Sequence, residues 1–124
     1  IKLYTNNRIA KLQGENDFDG IIAVADEMLA VNPQDALAQK IRLQALFDKK
    51  DYAGVIASAE EAAAGQTDEE ERSDVYFILG AAYNARTMPQ QAIDALSKVT
   101  AGANVAAAQK TVAQLKENAA KANS

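Results

Sequence analysis

Between Tyr76 and Leu96 the chain reads YFILGAAYNARTMPQQAIDAL, a helix-forming sequence interrupted twice. Gly80 sits between Leu79 and Ala81, where glycine costs about 1 kcal/mol relative to alanine in a helix interior. Pro89 has no N–H to donate and is tolerated only in the first turn of a helix. One continuous helix is therefore excluded. The spacing predicts a helix over Tyr76–Asn84, a tight turn over Arg86–Pro89 and a second helix over Gln90–Leu96. So short a connection makes the two helices antiparallel neighbours. Gly80 is explained if the second helix crosses there, with Ala92 as the facing small residue.

The same unit recurs upstream. Gly80 and Tyr83 match Leu43 and Leu46 at a shift of 37 residues, and Ile9 and Leu12 at a further 34. In the second helices Ala92 matches Val55 and Ile21, Leu96 matches Ala59 and Ala25, and Val99 matches Ala62 and Met28. Phe18 and Tyr52, at the starts of two second helices, are also 34 apart. The three extra residues of the larger shift fall near Ala64–Asp68. Helix breakers divide the chain into seven predicted helical pieces, at roughly 2–14, 18–31, 35–48, 52–64, 68–86, 88–99 and 104–122. Asn32-Pro33 stops the second piece, and Gly65 suits a left-handed position after the fourth. Thr67 with Glu70, and Thr87 with Gln90, match capping boxes, and Asn104 can cap the last piece.

Composition agrees with an all-α fold. Alanine makes up about a fifth of the chain, well above ordinary usage. It loses no side-chain entropy in a helix and lets helices approach closely. No segment shows the β-branched alternation of a strand. The 124 residues suffice for one domain, spanning 1–124. The net charge of −4 argues against a nucleic-acid partner. With no cysteine and no histidine, disulfides, thiolate metal sites and imidazole chemistry are excluded. No apolar run approaches the roughly 20 residues needed to span a bilayer, so direct membrane insertion is not expected.

At Tyr76, Leu79, Gly80, Tyr83, Ala92 and Leu96 the chain resembles the tetratricopeptide-repeat (TPR) family, whose pattern is W-x2-L-G-x2-Y followed by A-x3-F and proline. Tyrosine stands for tryptophan here, and leucine for phenylalanine. NDFDGIIAVADEMLAVNP resembles the second half of a first repeat, ending at Pro33. The middle repeat keeps KDYAGVIASAEEA but has Leu43 where a small residue is usual and Thr67 where proline is usual. The resemblance implies a right-handed superhelix of three helix–turn–helix pairs, at about residues 2–35, 36–69 and 73–103, plus a C-terminal capping helix at about 104–122. That last helix carries Val105, Ala108, Val112 and Leu115 on one stripe, with Lys110, Lys116, Glu117 and Lys121 outside it.

In the family the first helix of each pair lines a concave groove that holds a peptide or partner segment. The same shifts project four rows onto that face: Asn6, Lys40 and Phe77; Asn7, Ile41 and Ile78; Ala10, Gln44 and Ala81; Gln13, Phe47 and Asn84. Amides suit the backbone of an extended peptide, and the apolar members suit its side chains. The expected binding residues are Asn6, Asn7, Lys40, Gln44, Phe77 and Asn84. The family's clamp for a C-terminal carboxylate needs more Lys, Arg and Asn than this, and Asp74 has the wrong charge for it. For Phe77, Ile78, Ile41 and Phe47 the alternative is that they extend the core.

Other features have structural readings. Asp68-Glu69-Glu70-Glu71 suits the positive end of a helix dipole, and adjacent residues on a helix cannot converge on one ion. Tyr52, Tyr76 and Tyr83 are spaced as interhelical packing residues. No Gly-rich phosphate loop, nucleophile elbow or catalytic histidine motif appears, so the expectation is a non-catalytic protein without metal or cofactor. The expected role is a protein–protein interaction scaffold. The alternative is an assembly or dimerisation module of a larger chain, a homo-oligomer formed through the first helix, where Ile1, Leu3, Tyr4 and Ile9 would face nothing. The start at Ile1 and the absence of cysteine are compatible with an exported or envelope-attached domain whose leader has gone, and equally with a trimmed cytoplasmic one.

Overall fold

The structure, a computed structural model, describes residues 2–122, with side chains over 7–121. Among the described residues seven helices follow one another: α1 Lys2–Gly14, α2 Phe18–Val31, α3 Ala36–Asp48, α4 Tyr52–Gly65, α5 Glu69–Ala85, α6 Pro89–Leu96 and α7 Val105–Ala122. No strand occurs among the described residues. The fold is all-α, and the helices lie within a few residues of their predicted places.

Aspartates start four of the helices. The side chains of Asp17, Asp35, Asp51 and Asp68 accept from the N–H groups of Gly20, Ala38, Gly54 and Glu70, satisfying donors that the first turn leaves free. Asp68 thus takes the place expected of Thr67. Thr87 is not a cap either. It has a left-handed backbone, φ 58°, and α6 begins after Met88 with no side-chain cap. Gly65 ends α4 still helical. Its missing side chain leaves room for Gln39, whose Oε1 a Cβ would overlap. Asn104 accepts the Ala108 N–H through its carbonyl, while its side-chain amide is given to Asp74. The sixth helix stops at Leu96 rather than near 99, yet Val99 is still buried.

The connections α1–α2, α3–α4 and α5–α6 are built alike. Each has one left-handed residue: Asn16, Lys50 and Thr87, with φ of 56°, 68° and 58°. Each makes the same two backbone bonds. Asn16 N–H donates to Gln13 and Asp17 N–H to Leu12. Lys50 donates to Phe47 and Asp51 to Leu46. Thr87 donates to Asn84 and Met88 to Tyr83. This is the Schellman pattern, which satisfies carbonyls at a helix end and reverses the chain. The three turns lie 34 and 37 residues apart, the shifts of the sequence repeat.

Helices pack in chain order. Each of α2 to α6 lies against the helix before it and the helix after it, and α3 also lies against α5. Alanine permits the close approach: Ala25, Ala38, Ala59, Ala82, Ala92 and Ala108 are fully buried. Two apolar clusters result. One joins Leu43 and Leu46 of α3 to Val55 and Ala59 of α4 and Val75 and Leu79 of α5. The other joins Ala92, Ile93 and Leu96 of α6 to Val99 and to Ala108 and Leu115 of α7. Gly80 is buried where α5 meets α6, but Leu96 faces it rather than Ala92.

Two buried polar side chains fasten the joints between pairs. Gln66 donates from Nε2 to the carbonyls of Ala36 and Ala62, tying the end of α4 to the start of α3. Ser73 Oγ accepts from the N–H groups of Thr100 and Ala101, holding the α6–α7 connection onto α5. The expected α7 stripe is seen, with Ala108 and Leu115 buried and Val105 and Val112 half-buried. Ile9 is buried rather than facing nothing. Ile1, Leu3 and Tyr4 lie outside the described side chains.

Candidate functional site

Once α3 has buried Ala38, Leu43, Ala45 and Leu46, one stripe of its remaining surface lies away from Gln39 and Arg42. Leu37, Lys40, Ile41, Gln44 and Asp48 recur at helical spacing along it. On α5 the corresponding stripe is Asp74, Phe77, Ala81 and Asn84. The two stripes are joined by Lys40. Its Nζ donates to Glu71 Oε2 at 2.5 Å and to Asp74 Oδ2 at 2.8 Å. Asp74 uses its other oxygen to accept from Asn104 Nδ2 at 3.1 Å. With Lys40 and Asp74 paired, the next turns, Gln44 on α3 and Phe77 on α5, run alongside each other.

The electrostatics of this bridge follow from its setting. Burial alone would lower the Lys40 pKa. Hydrogen bonds from Asp74 and Glu71, and their charges, outweigh that and hold it above its ordinary value of 10.5. Lys40 is thus engaged within the fold, and a bound carboxylate would compete with two resident ones for it. Asp74, which the sequence marks as the wrong charge for a carboxylate clamp, is Lys40's partner.

The remaining expected residues fall into different settings. Gln44 is exposed and donates to Asp48 at 3.0 Å. Asn84 and Asn7 are exposed, on α5 and α1. Asn6 lies outside the described side chains. Phe77 is half-buried against the α6–α7 cluster. Ile78 is buried, and Phe47 sits half-buried with its ring edge-on to Tyr52, 5.6 Å between centroids. These last two serve the core, as the alternative reading has it. The Lys40 bridge thus joins the two stripes, with Gln44 on the α3 stripe and Phe77 and Asn84 on that of α5.

Leu37 was not among the expected residues. It is 53% exposed, a large apolar side chain one turn before Lys40 and Ile41. The shift of 37 that pairs Lys40 with Phe77 pairs Leu37 with Asp74, so one more row of the same projection finds it.

The opposite side carries a cleft of about 270 Å³ between α2, α3 and α4, lined by Asp26, Leu29, Pro33, Gln39, Arg42 and Glu61 among others. Its one cation is spoken for, since Arg42 pairs with Asp26 at 2.9 Å and donates to Ser58 at 3.2 Å. Among the described residues no cluster of three acidic side chains could hold a metal ion, and no helix is long and apolar enough to cross a membrane. No family model matches the chain, and no curated protein matches it either.

Proposed function

We propose that the chain is a TPR-like array, three helix–turn–helix pairs in a right-handed superhelix closed by α7, and that it binds an extended segment of another polypeptide without catalysis. The three identically bonded turns at shifts of 34 and 37 support the repeat reading. The binding reading rests chiefly on the exposed stripe of α3 and that of α5, where Leu37 and Phe77 offer apolar surface, Asn84 an exposed amide, and Gln44 an amide whose carbonyl is still open while its NH2 group meets Asp48. Apolar side chains give a peptide's residues somewhere to lodge, and amides match its backbone. The Lys40 bridge directs the preference toward segments without a carboxylate at this point.

The test is a peptide selected by display against the folded protein. Amide shift changes of the labelled protein should follow α3 and α5. Replacing Gln44 and Asn84 together by alanine should weaken binding about tenfold or more, since each lost hydrogen bond is worth about 1 kcal/mol. Glu60→Ala on α4 should leave it unchanged. Shift changes confined to α2, α4 and α6, with affinity indifferent to Gln44 and Asn84, would refute the assignment.

A further inference from the structure

A second cleft, of about 390 Å³, lies where the first half of α5 meets the α6–α7 connection. Glu69, Arg72, Ser73, Tyr76, Ser97, Lys98 and Thr100 line it. Arg72 and Tyr76 are about a third of a turn round α5 from the Phe77 and Asn84 stripe, so this is a different surface. Among the described residues five cations have carboxylate partners: Arg8, Lys40, Arg42, Lys49 and Lys121. Arg72 and Lys98, like several other described cations, have none, but these two line the same cleft.

Both cations are held in position. Arg72 Nη2 donates to the Gln66 carbonyl at 3.1 Å, and Gln66 is itself buried and fastened to Ala36 and Ala62. The rest of the guanidinium fork is unspent. Lys98 Nζ stands 5.1 Å above the ring of Tyr76, an orientation that leaves the ammonium without a counter-charge. The one acid in the cleft is drawn aside: Glu69 Oε1 accepts from Thr100 Oγ1 at 2.7 Å instead of meeting Arg72. Ser97 is also engaged, donating to Ile93 at 2.7 Å.

We propose that this cleft binds a small oxyanion, a phosphate or carboxylate group, through the fork of Arg72 and the ammonium of Lys98. Arginine supplies directional bonds to two oxygens, and lysine supplies a point charge. Glu69 opposes binding and limits its strength.

The experiment titrates the isotopically labelled protein with inorganic phosphate and, separately, with acetate, each against sodium chloride at matched ionic strength. Saturable amide shifts at Arg72, Ser73 and Lys98 to Ala101 are expected with an oxyanion and not with chloride. A response to phosphate alone assigns a phosphate source, and a response to both assigns oxyanions generally. Arg72→Gln and Lys98→Met should each weaken binding about tenfold, the loss of one charge-assisted bond. Lys98→Met leaves the Gln66 contact intact, so it reads out binding even where Arg72→Gln disturbs folding. Glu69→Gln keeps an acceptor for Thr100 and should tighten binding severalfold. The proposal is overturned if no shift saturates, if chloride acts equally, or if neither the Lys98 nor the Glu69 change alters the affinity.

Discussion

The approach of Leu96 to Gly80 gives a quantitative test of the packing between α5 and α6. A Cβ built on Gly80 would lie 2.5 Å from both Cγ and Cδ2 of Leu96. Carbon atoms in contact sit about 3.5–4.0 Å apart, so roughly 1 Å must be found. Cγ is a branch point, not the end of the side chain, and Leu96 is buried. Rotating a terminal methyl does not clear it, so the helices must shift. Overpacking of this kind costs about 1–3 kcal/mol. Alanine returns about 1 kcal/mol of helix propensity. Gly80→Ala should therefore destabilise by about 0–2 kcal/mol. Leu96→Ala alone should cost about 2–5 kcal/mol as a cavity. In that background the clash is gone, and Gly80→Ala should stabilise by about 1 kcal/mol. The coupling between the two changes is then about 1–3 kcal/mol, far above the scatter of independent sites. Urea unfolding followed by helical circular dichroism, with unchanged slope, measures it. If Gly80→Ala stabilises the parent and the Leu96→Ala protein equally, the two residues do not meet and the crossing described here is wrong.

Two further outcomes follow from residues already described. Replacing Lys40 by methionine leaves Asp74 and Glu71 unpaired and half-buried, and should cost about 1–2 kcal/mol, between an exposed and a buried pair. Because folding raises the Lys40 pKa, that stabilisation is whole below 10.5 and is lost as pH rises through the higher folded value. The Tm gap between parent and Lys40→Met should hold steady from pH 7 to 9, by this linkage, and narrow above about 10.5; a gap that closes on acidifying toward about pH 7 contradicts the bridge. At Thr87 a β-branched side chain occupies a left-handed backbone, which costs about 1–2 kcal/mol, so Thr87→Gly should raise stability by about 0.5–1 kcal/mol after glycine's own entropy is counted. A loss of stability there would show that the turn is not left-handed in solution.

Much of the architecture could be read from local chemistry. Asn32-Pro33, Pro89 and the aspartates before α2, α3 and α4 act within a few residues, and the helix limits came out close to their predicted places. The two capping boxes failed for local reasons as well. Asp68, one residue after Thr67, offers the better acceptor. Thr87 is committed to the left-handed turn and cannot also take the extended backbone of a cap. What periodicity could not supply was tilt. Whether Ala92 or Leu96 faces Gly80 depends on how α6 crosses α5, a distance of one helical turn that both choices satisfy. The proposed binding surface divides similarly. The repeat shift projects Lys40 and Phe77 into one row and Gln44 into another of the same expected face. It could not reveal that Lys40 is neutralised from α5, since Asp74 belongs to a different row and the meeting depends on side-chain reach between the two helices.

The three reversals at Asn16, Lys50 and Thr87 make the molecule divisible. Each seam has the same torsion and the same pair of hydrogen bonds, whatever side chains flank it. One seam carries asparagine and aspartate, another lysine and aspartate, the third threonine and methionine ahead of a proline. A chain spliced from one seam to the next would meet a backbone of matching shape, so that lengthening or shortening by a whole unit leaves every junction chemically unchanged. Growth by duplication needs no new corner to be invented.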